Sequence, residues 1–527
     1  MIGEKKKEEK LFYYLRPEEL IPEDHILRLI DRYVDFSFIR PKVEHLYSDT
    51  GRPSVDPDVM MRMLLVGYLF GITSERRLCD EVRMHLGYRW FVGLALDEKV
   101  PDHSTFSKNR HGRFKESGIY QQMFDQIVEQ CIEKGLVSGR HLTVDSTLVK
   151  ANASFKTLEP IVVALKPGEY IDEVEKKNSI VEEQDDNEPW EPKEDYPLKG
   201  EKVSNKTHRS RVDPDSRIAR KGNFSETHLG HGVSYLMDNK SRVIVGADQN
   251  LPNRNADAVT AIKLISRIKW AYKLKPRTLG GDKGYATGEF VYWLSEQEVS
   301  PHVPIMDHRG RTEKGIYPFD QFHYDADKDQ FICPQGKGLR YWGIHKHSRQ
   351  HVYRASPSDC RQCPVKEQCT RATYRSLSYH IYESSIDVAR KLTKTRGYRI
   401  SQIMRKRVEE LFGEAKECMG LRRTKFRGSL FVQEQVLLTA MAQNVKRMVR
   451  LLSRTGPKKH RGALAAYPMK VSCNSLSLLC RVTHYFGQAI SHLCPTGHPI
   501  SLVQLVFQQP VCGLTFRIFV GHTTWST

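Results

Sequence analysis

Gly139-Arg-His-Leu-Thr-Val-Asp-Ser-Thr-Leu-Val-Lys-Ala-Asn152 is the stretch on which the fold turns. Its apolar and β-branched residues make a strand-type run opened by a glycine. One carboxylate, Asp145, stands inside it. The residues before it read differently. From about residue 17 to 135 the pattern is helical. Asp56 can cap a helix whose first position is Pro57, and a broad apolar face follows. Ser74-Glu-Arg-Arg opens another helix, and Asp102-His-Ser-Thr-Phe-Ser-Lys-Asn-Arg-His-Gly-Arg-Phe114 a basic one. Short helices ending in a basic helix suit a module that reads DNA, or a plain bundle with one basic face.

After the strand run the composition changes again. Residues from about 168 to 198 are acid-rich and contain proline, as in Glu182-Glu-Gln-Asp-Asp-Asn-Glu-Pro-Trp-Glu-Pro192. This predicts a solvated insertion. Strand patterns return in His231-Gly-Val-Ser-Tyr-Leu-Met-Asp238 and Ser241-Arg-Val-Ile-Val-Gly-Ala-Asp248. A helix follows in Asn255-Ala-Asp-Ala-Val-Thr-Ala-Ile-Lys-Leu-Ile265, then a strand running into a glycine turn, Pro276-Arg-Thr-Leu-Gly-Gly-Asp282. The expected fold class is α/β, a ribonuclease H-like core behind an all-helical N-terminal domain. The boundaries read as 1–135 for the helical domain and 136–455 for the core.

Three carboxylates occupy separated contexts. Asp145 lies in the opening run and Asp282 in Leu279-Gly-Gly-Asp-Lys-Gly-Tyr285. Glu409 lies on a helical stretch, Arg405-Lys-Arg-Val-Glu-Glu-Leu-Phe-Gly-Glu-Ala-Lys416. Phosphodiester chemistry gains from two divalent ions about 3.5–4 Å apart. Magnesium (or manganese) takes hard oxygen ligands, so carboxylates are the right type. Asp145 is expected to bridge the two ions, Asp282 to join from a neighbouring strand end, and Glu409 to reach in from the helix. Gly280, Gly281 and Gly284 would let backbone and phosphate come close. Arg405 and Glu409 are four apart and can pair.

The chain has 527 residues and a net charge of +19, which favours a polyanionic partner, nucleic acid above all. Met1 is followed by Lys5-Lys-Lys-Glu-Glu-Lys10 and no long apolar run, so neither export signal nor membrane span is expected. The 11 cysteines are an odd number and suggest reduced thiols in a cytoplasmic compartment. Cys333, Cys360, Cys363 and Cys369 form a C-x26-C-x2-C-x5-C set in an insertion of about 325–375. Four thiolates can close round one structural zinc at about 2.3 Å, with Tyr341 and Trp342 beside it; unmetallated thiols in a loop are the alternative. Cys79, Cys131 and Cys418 are expected in the helical core. Residues 456–527 hold no Asp or Glu and no clear period, an atypical extension that suits read-through past a lost stop.

Together these residues resemble the DDE transposases of bacterial insertion sequences, in the broad IS4/IS5 superfamily and of the IS1182 type. Val144-Asp-Ser-Thr147 resembles the first-aspartate motif and Gly281-Asp-Lys-Gly-Tyr285 the second. Arg405-x3-Glu409-x6-Lys416 matches the spacing of the family's Y-x2-R-x3-E-x6-K signature, and Gly420-Leu-Arg-Arg-Thr-Lys-Phe-Arg-Gly428 continues it. The signature tyrosine falls at Gln402. Val212-Asp-Pro-Asp-Ser-Arg217 and the helical region before the core also resemble the family, as does a cysteine-rich insertion between the second aspartate and the glutamate.

The resemblance implies a metal-dependent DNA transposase. It would cut at the element's ends and join them to target DNA, with double-stranded DNA (terminal inverted repeats and target) as partner. Arg405 and Lys416 would hold phosphates near the cut, and Arg422, Arg423, Lys425 and Arg427 would track the backbone, with Phe426 against a base or sugar. It further implies a homodimer in the synaptic complex and a bacterial, nucleoid-associated location. A DNA-binding relic or repressor with a dead core, or a non-mobile ribonuclease H-like nuclease, are the competing functions.

Overall fold

The computed structural model describes residues 16–51, 53–161, 203–220, 226–252, 256–305, 315–346 and 348–455. The acid-rich segment 168–198 and the extension 456–527 lie outside the described residues.

The N-terminal part is helical, as its caps announce. The main helices are α1 (Ile26–Tyr33), α2 (Pro57–Leu69), α3 (Glu75–Met84), α4 (Leu86–Val92), α5 (His103–His111) and α6 (Ile119–Glu133). Asp56 accepts from the Asp58 amide at 2.9 Å, and Pro57 takes the first position of α2. Ser74 accepts from Arg77 N at 3.3 Å, and Asp102 from Ser104 N at 2.8 Å. Helix α2 is apolar on almost every side and buries Met60, Met63, Leu65 and Val66, so it runs through the middle of its neighbours.

The chain then enters a sheet built from β1 (His141–Lys150), β2 (His228–Asp238) and β3 (Ile244–Asn250), each antiparallel to the next. Helix α7 (Ala256–Ala271) leads back to β4 (Thr278–Gly280), and α8 (Gly288–Glu296) to β5 (Ser300–His302). Strand β4 lies parallel to β1 on its other edge, and β5 parallel to β4. The spatial order is β3-β2-β1-β4-β5, with the short strand Arg217–Ala219 also bordering β2. The observed class is mixed α/β.

Register fixes what each side of β1 sees. Strand β4 pairs only with residues 141–143, so β1 runs on past the end of its parallel neighbour. Side chains alternate across a strand. Asp145 pairs with Tyr235, whose ring stacks on Phe412 at 4.5 Å between centroids. Ser146 pairs with Ser234, and their hydroxyls meet at 2.7 Å on the opposite face.

Beyond β5 comes a separate antiparallel sheet of β6 (His323–Asp325), β7 (Gln330–Ile332), β8 (Gly338–His345), β9 (Gln350–Ala355) and β10 (Ser376–His380). It has its own small core of Phe331, Leu339, Tyr353 and Leu377. Three helices close the described chain: α9 (Glu383–Leu392), α10 (Arg396–Cys418) and α11 (Ser429–Thr455). Helix α11 joins the parts. Its Asn444 amide donates to Ile244 O at 2.8 Å, and its carbonyl oxygen accepts from Ile244 N at 2.8 Å, so it extends the β3 edge. Its Glu434 accepts from Arg110 Nε of α5 at 2.9 and 3.0 Å.

Cys79 and Cys131 are buried as expected, but Cys418 is exposed, because it closes α10 on the solvent side. Among the described residues no helix is long and apolar enough to cross a membrane.

Candidate active site

Asp145 stands two residues beyond the last β1–β4 pair, and Asp282 two residues beyond the end of β4. Both therefore project where the parallel strands stop. The Asp282 side chain accepts from Gly284 N at 2.8 Å, which bends the chain into a short 3-10 turn. A carboxylate capping its own turn is held in one orientation.

Helix α10 crosses this strand end. Arg405 Nη1 lies 3.6 Å from Asp145 Oδ2 and 3.5 Å from Glu409 Oε1. These are ion-pair separations, longer than hydrogen bonds. Arg405 Nε is buried and finds no hydrogen-bond partner among the described residues. Asp145 is nearly enclosed, with a side chain 13% exposed, whereas Glu409 is 60% exposed. Burial pushes the Asp145 carboxyl up to about 6, with Asp282 and Glu409 adding to the rise; the Ser146 amide and Arg405 oppose it. Arg405 thus stands between two of the three acids, Asp145 and Glu409, while Asp282 acts on Asp145 through its field. As they stand, no three His, Cys, Asp or Glu side chains among the described residues are grouped closely enough to hold a metal ion.

The same helix is anchored to the second aspartate. Gln402, standing where the signature tyrosine was expected, donates to His302 O at 2.7 Å and to Gly281 O at 3.3 Å. Ser401 Oγ and His302 Nδ1 are 2.6 Å apart. Gln402 therefore ties α10 to the residue before Asp282, a role that single-sequence spacing does not reveal. Lys416 donates to Thr147 Oγ1 at 2.6 Å, on the Asp145 face of β1. The neighbouring acids are engaged elsewhere: Glu410 pairs with Arg242, and Glu414 with Lys446.

The basic run after α10 divides in two. Residue Lys150 of β1 bridges to Arg423, and Thr424 N donates to Lys150 O at 2.8 Å, which fixes the run against the strand end. Arg422, Arg423 and Arg427 are exposed. Lys425 instead points inward, its ammonium 4.0 Å from the Tyr68 ring centroid, and burial pulls it down to about 8. Phe426 lies under the Arg110 guanidinium at 3.9 Å, not out toward a partner. The Val212–Arg217 stretch is the clasp for this loop. Asp213 Oδ1 accepts from Gly428 N at 3.0 Å, Asp215 from Ser429 N at 2.7 Å, and buried His231 meets Asp213 at 3.0 Å.

In the second sheet, Cys333, Cys360, Cys363 and Cys369 line one cavity of about 240 Å3. Burial raises the Cys369 thiol, and the other three add to it. Tyr341 and Trp342 do not line this cavity. Tyr341 packs against Tyr353, and Trp342 is 69% exposed with Arg354 over its ring at 4.5 Å, because a β-bulge at 341/343 turns it outward.

Comparison with known proteins locates two domains. A transposase domain (DUF772) matches residues 15–112, and a transposase DDE domain matches residues 332–449. The first spans α1 to α5; the second spans the four cysteines, α10 with Glu409, and most of α11. Asp145 and Asp282 lie outside both. The likeness to an insertion-sequence DDE transposase read from the motifs is shown by these two matches. No curated protein matches the chain. Among solved structures it is similar to piggyBac transposase in a synaptic complex with hairpin DNA, at 11% identity over 90% of this chain and 86% of that one. The TM-score is 0.27, too loose an overlay to argue from.

Proposed function

We propose that this chain, with its transposase domain and transposase DDE domain, is a metal-dependent DNA transposase that cuts at the ends of an insertion sequence and transfers the freed strand to target DNA. The observation that carries the reading is the crossing of α10. One helix brings Arg405 between Asp145 and Glu409 and, through Gln402, grips the turn that holds Asp282. The strand order, three antiparallel strands followed by two parallel ones, supports a ribonuclease H-like core within 136–455. Residues 1–135 would be the DNA-binding domain.

The donor set fits divalent cations: hard oxygens, a surplus of negative charge, and a carboxyl displaced upward by burial. Asp145, Asp282 and Glu409 would hold two Mg2+ or Mn2+ ions, which would supply Lewis acidity to the attacking and leaving oxygens. Asp145 would be an enclosed ligand at the strand end. Arg405 neutralises part of the charge and holds the Asp145 and Glu409 carboxylates apart. Arg422, Arg423 and Arg427 would take backbone phosphates, with Lys416 above the Asp145 face of β1. In the first step a water oxygen attacks phosphorus and the P–O3′ bond breaks, leaving a 3′-hydroxyl. In the second that hydroxyl loses its proton and attacks a target phosphorus; the target P–O3′ bond breaks, and the departing 3′-oxygen takes up a proton. Two copies would synapse two ends. The four cysteines would hold structural zinc, whose four thiolate ligands leave no position for catalysis.

The test is strand cleavage and joining on DNA that carries the element's ends. Mg2+-dependent products lost in Asp145→Ala support the reading. Cleavage without joining, or without need of the ends, supports a plain nuclease; binding with no cleavage supports a relic.

A further inference from the structure

The N-terminal half of α10 carries a charge that the fold itself does not use. From Lys391 to Arg407 the chain holds seven lysines and arginines and no Asp or Glu. Other helical cations have acids beside them: Arg77 pairs with Glu81 and Arg83 with Asp80 on α3, and Arg390 with Glu383 and Asp387 on α9. Lys391, Lys394, Arg396, Arg399 and Lys406 are exposed and have no ion-pair partner among the described residues. A run of like charge on a helix is ordinarily a solvated face. That does not account for where these cations stand. Arg396 and Arg399 fall within the first four residues of α10, and its first turn holds no acid. The helix dipole already makes that end positive, so each arginine adds repulsion where an acid would relieve it. An anion lying along the helix reverses the sign.

A groove of the same sign lies beside it. A cavity of about 610 Å3 is bounded by Gly397, Ile400 and Met404 of α10 and by Arg140, His141 and Lys240 at the entry to β1 and the exit from β2. No acid lines it among the described residues. Asp238, close by in sequence, is buried, and its oxygens accept from the Ser138, Gly139 and Lys240 amides. The cations lead toward the site already described. Arg399 and Lys406 are two turns apart on one side of α10, and Lys406 is three residues before Glu409. At about 1.5 Å per residue, Arg396 lies roughly 20 Å along the axis from Glu409. Duplex DNA places one phosphate of each strand about every 3.4 Å, so that span is about six base pairs.

We propose that the N-terminal half of α10, with Arg140 and Lys240 across the groove, is a phosphate track for duplex DNA that grips the backbone about six base pairs from the bond that is cut. The proposal rests on the reading of Asp145, Asp282 and Glu409 as the cutting site. Its test is binding of the full chain, without divalent metal, to duplexes of the element's end that span the cut. Each duplex is shortened from about fifteen base pairs to about three on one side or the other. Arg396→Ala/Arg399→Ala is expected to lower the slope of log K against log salt by about two and to weaken binding to the long duplex about tenfold, while melting stays at the wild-type temperature or above. Shortening one side should weaken wild type and leave the variant's affinity where it was. Arg140→Ala/Lys240→Ala should act in the same direction, and it stands in should the first pair fail to fold. An unchanged salt slope in the folded variant, or equal losses in variant and wild type on shortening either side, overturns this inference and leaves the active-site reading standing. Wild type that cuts none of these duplexes when Mg2+ is added overturns the transposase reading, and this inference with it.

Discussion

Two arginines in this molecule each stand between two carboxylates, and they stand there differently. Arg110 joins α5 to α11: it meets Glu434 at 2.9 Å and pairs with Glu75, with Arg110 and Glu434 side chains 4% and 3% exposed. Arg405 stands off at 3.5–3.6 Å from Glu409 and Asp145, and Glu409 is open to solvent. The first arrangement is closed, since every oxygen that matters is hydrogen-bonded and Phe426 caps the guanidinium. The second is unfinished. Its ion pairs are longer than hydrogen bonds, Arg405 Nε has no partner among the described residues, and burial holds the Asp145 carboxyl up near 6. The difference is between a charge cluster closed on itself and one whose pairs are left loose, as the proposed cation site requires.

The closed cluster should break hardest. Arg110→Met leaves Glu434 buried without its hydrogen-bonded guanidinium, and about 3–5 kcal/mol of stability should be lost in urea unfolding. A loss under 1 kcal/mol would mean the two clusters do not differ in kind. At the open cluster a substitution should do the reverse. A folded-state carboxyl at about 6, above its ordinary value, leaves folding unpenalised below about pH 4, penalises it increasingly from there to about 6, and fully above that. Asp145→Asn should therefore stabilise the metal-free protein at pH 7 by up to about 3 kcal/mol. The gap should open between pH 4 and 6 and stay constant above; unfolding curves across that range check it. A variant less stable than wild type at pH 7 would contradict the account.

Smaller effects sharpen the contrast. Gln402→Ala removes two hydrogen bonds between α10 and the turn before Asp282, at about 1 kcal/mol each or less. Strand cleavage should fall further than stability, because Asp282 loses its tether to α10; equal losses would make Gln402 merely structural. In the basic run, alanine at Arg422, Arg423 or Arg427 should each lower the salt dependence of DNA binding by about one ion. Lys425→Ala should leave that slope unchanged and alter stability instead, since its ammonium is spent on Tyr68.

What could be read in the sequence was what local chemistry decides. Asp56, Ser74 and Asp102 cap their helices because an oxygen within two or three residues of a free amide suffices. β1 was legible from its residue types, and Glu409 from spacing along one helix, a choice consistent with Glu410 and Glu414 having partners elsewhere. What could not be read depends on distant chain. Nothing beside Lys425 distinguishes it from Arg423; its burial is set by Tyr68 of α2. Gln402 looked like a departure from a motif, and its role exists only against His302 and Gly281. The second sheet was only partly legible, because its cysteines drew the reading toward a metal insertion and its short strands each bury a single large residue, Phe331, Leu339, Tyr353 or Leu377, too few for a period.

The central claim is that Asp145, Asp282 and Glu409 form one cation site. Thermal melting of wild type and Asp145→Asn, with and without Mg2+ at pH 7, tests it most directly. Wild type should melt lower without metal and rise by several degrees with it, while the variant starts higher and does not move. Equal Mg2+ shifts in both proteins, or none in wild type, would contradict it.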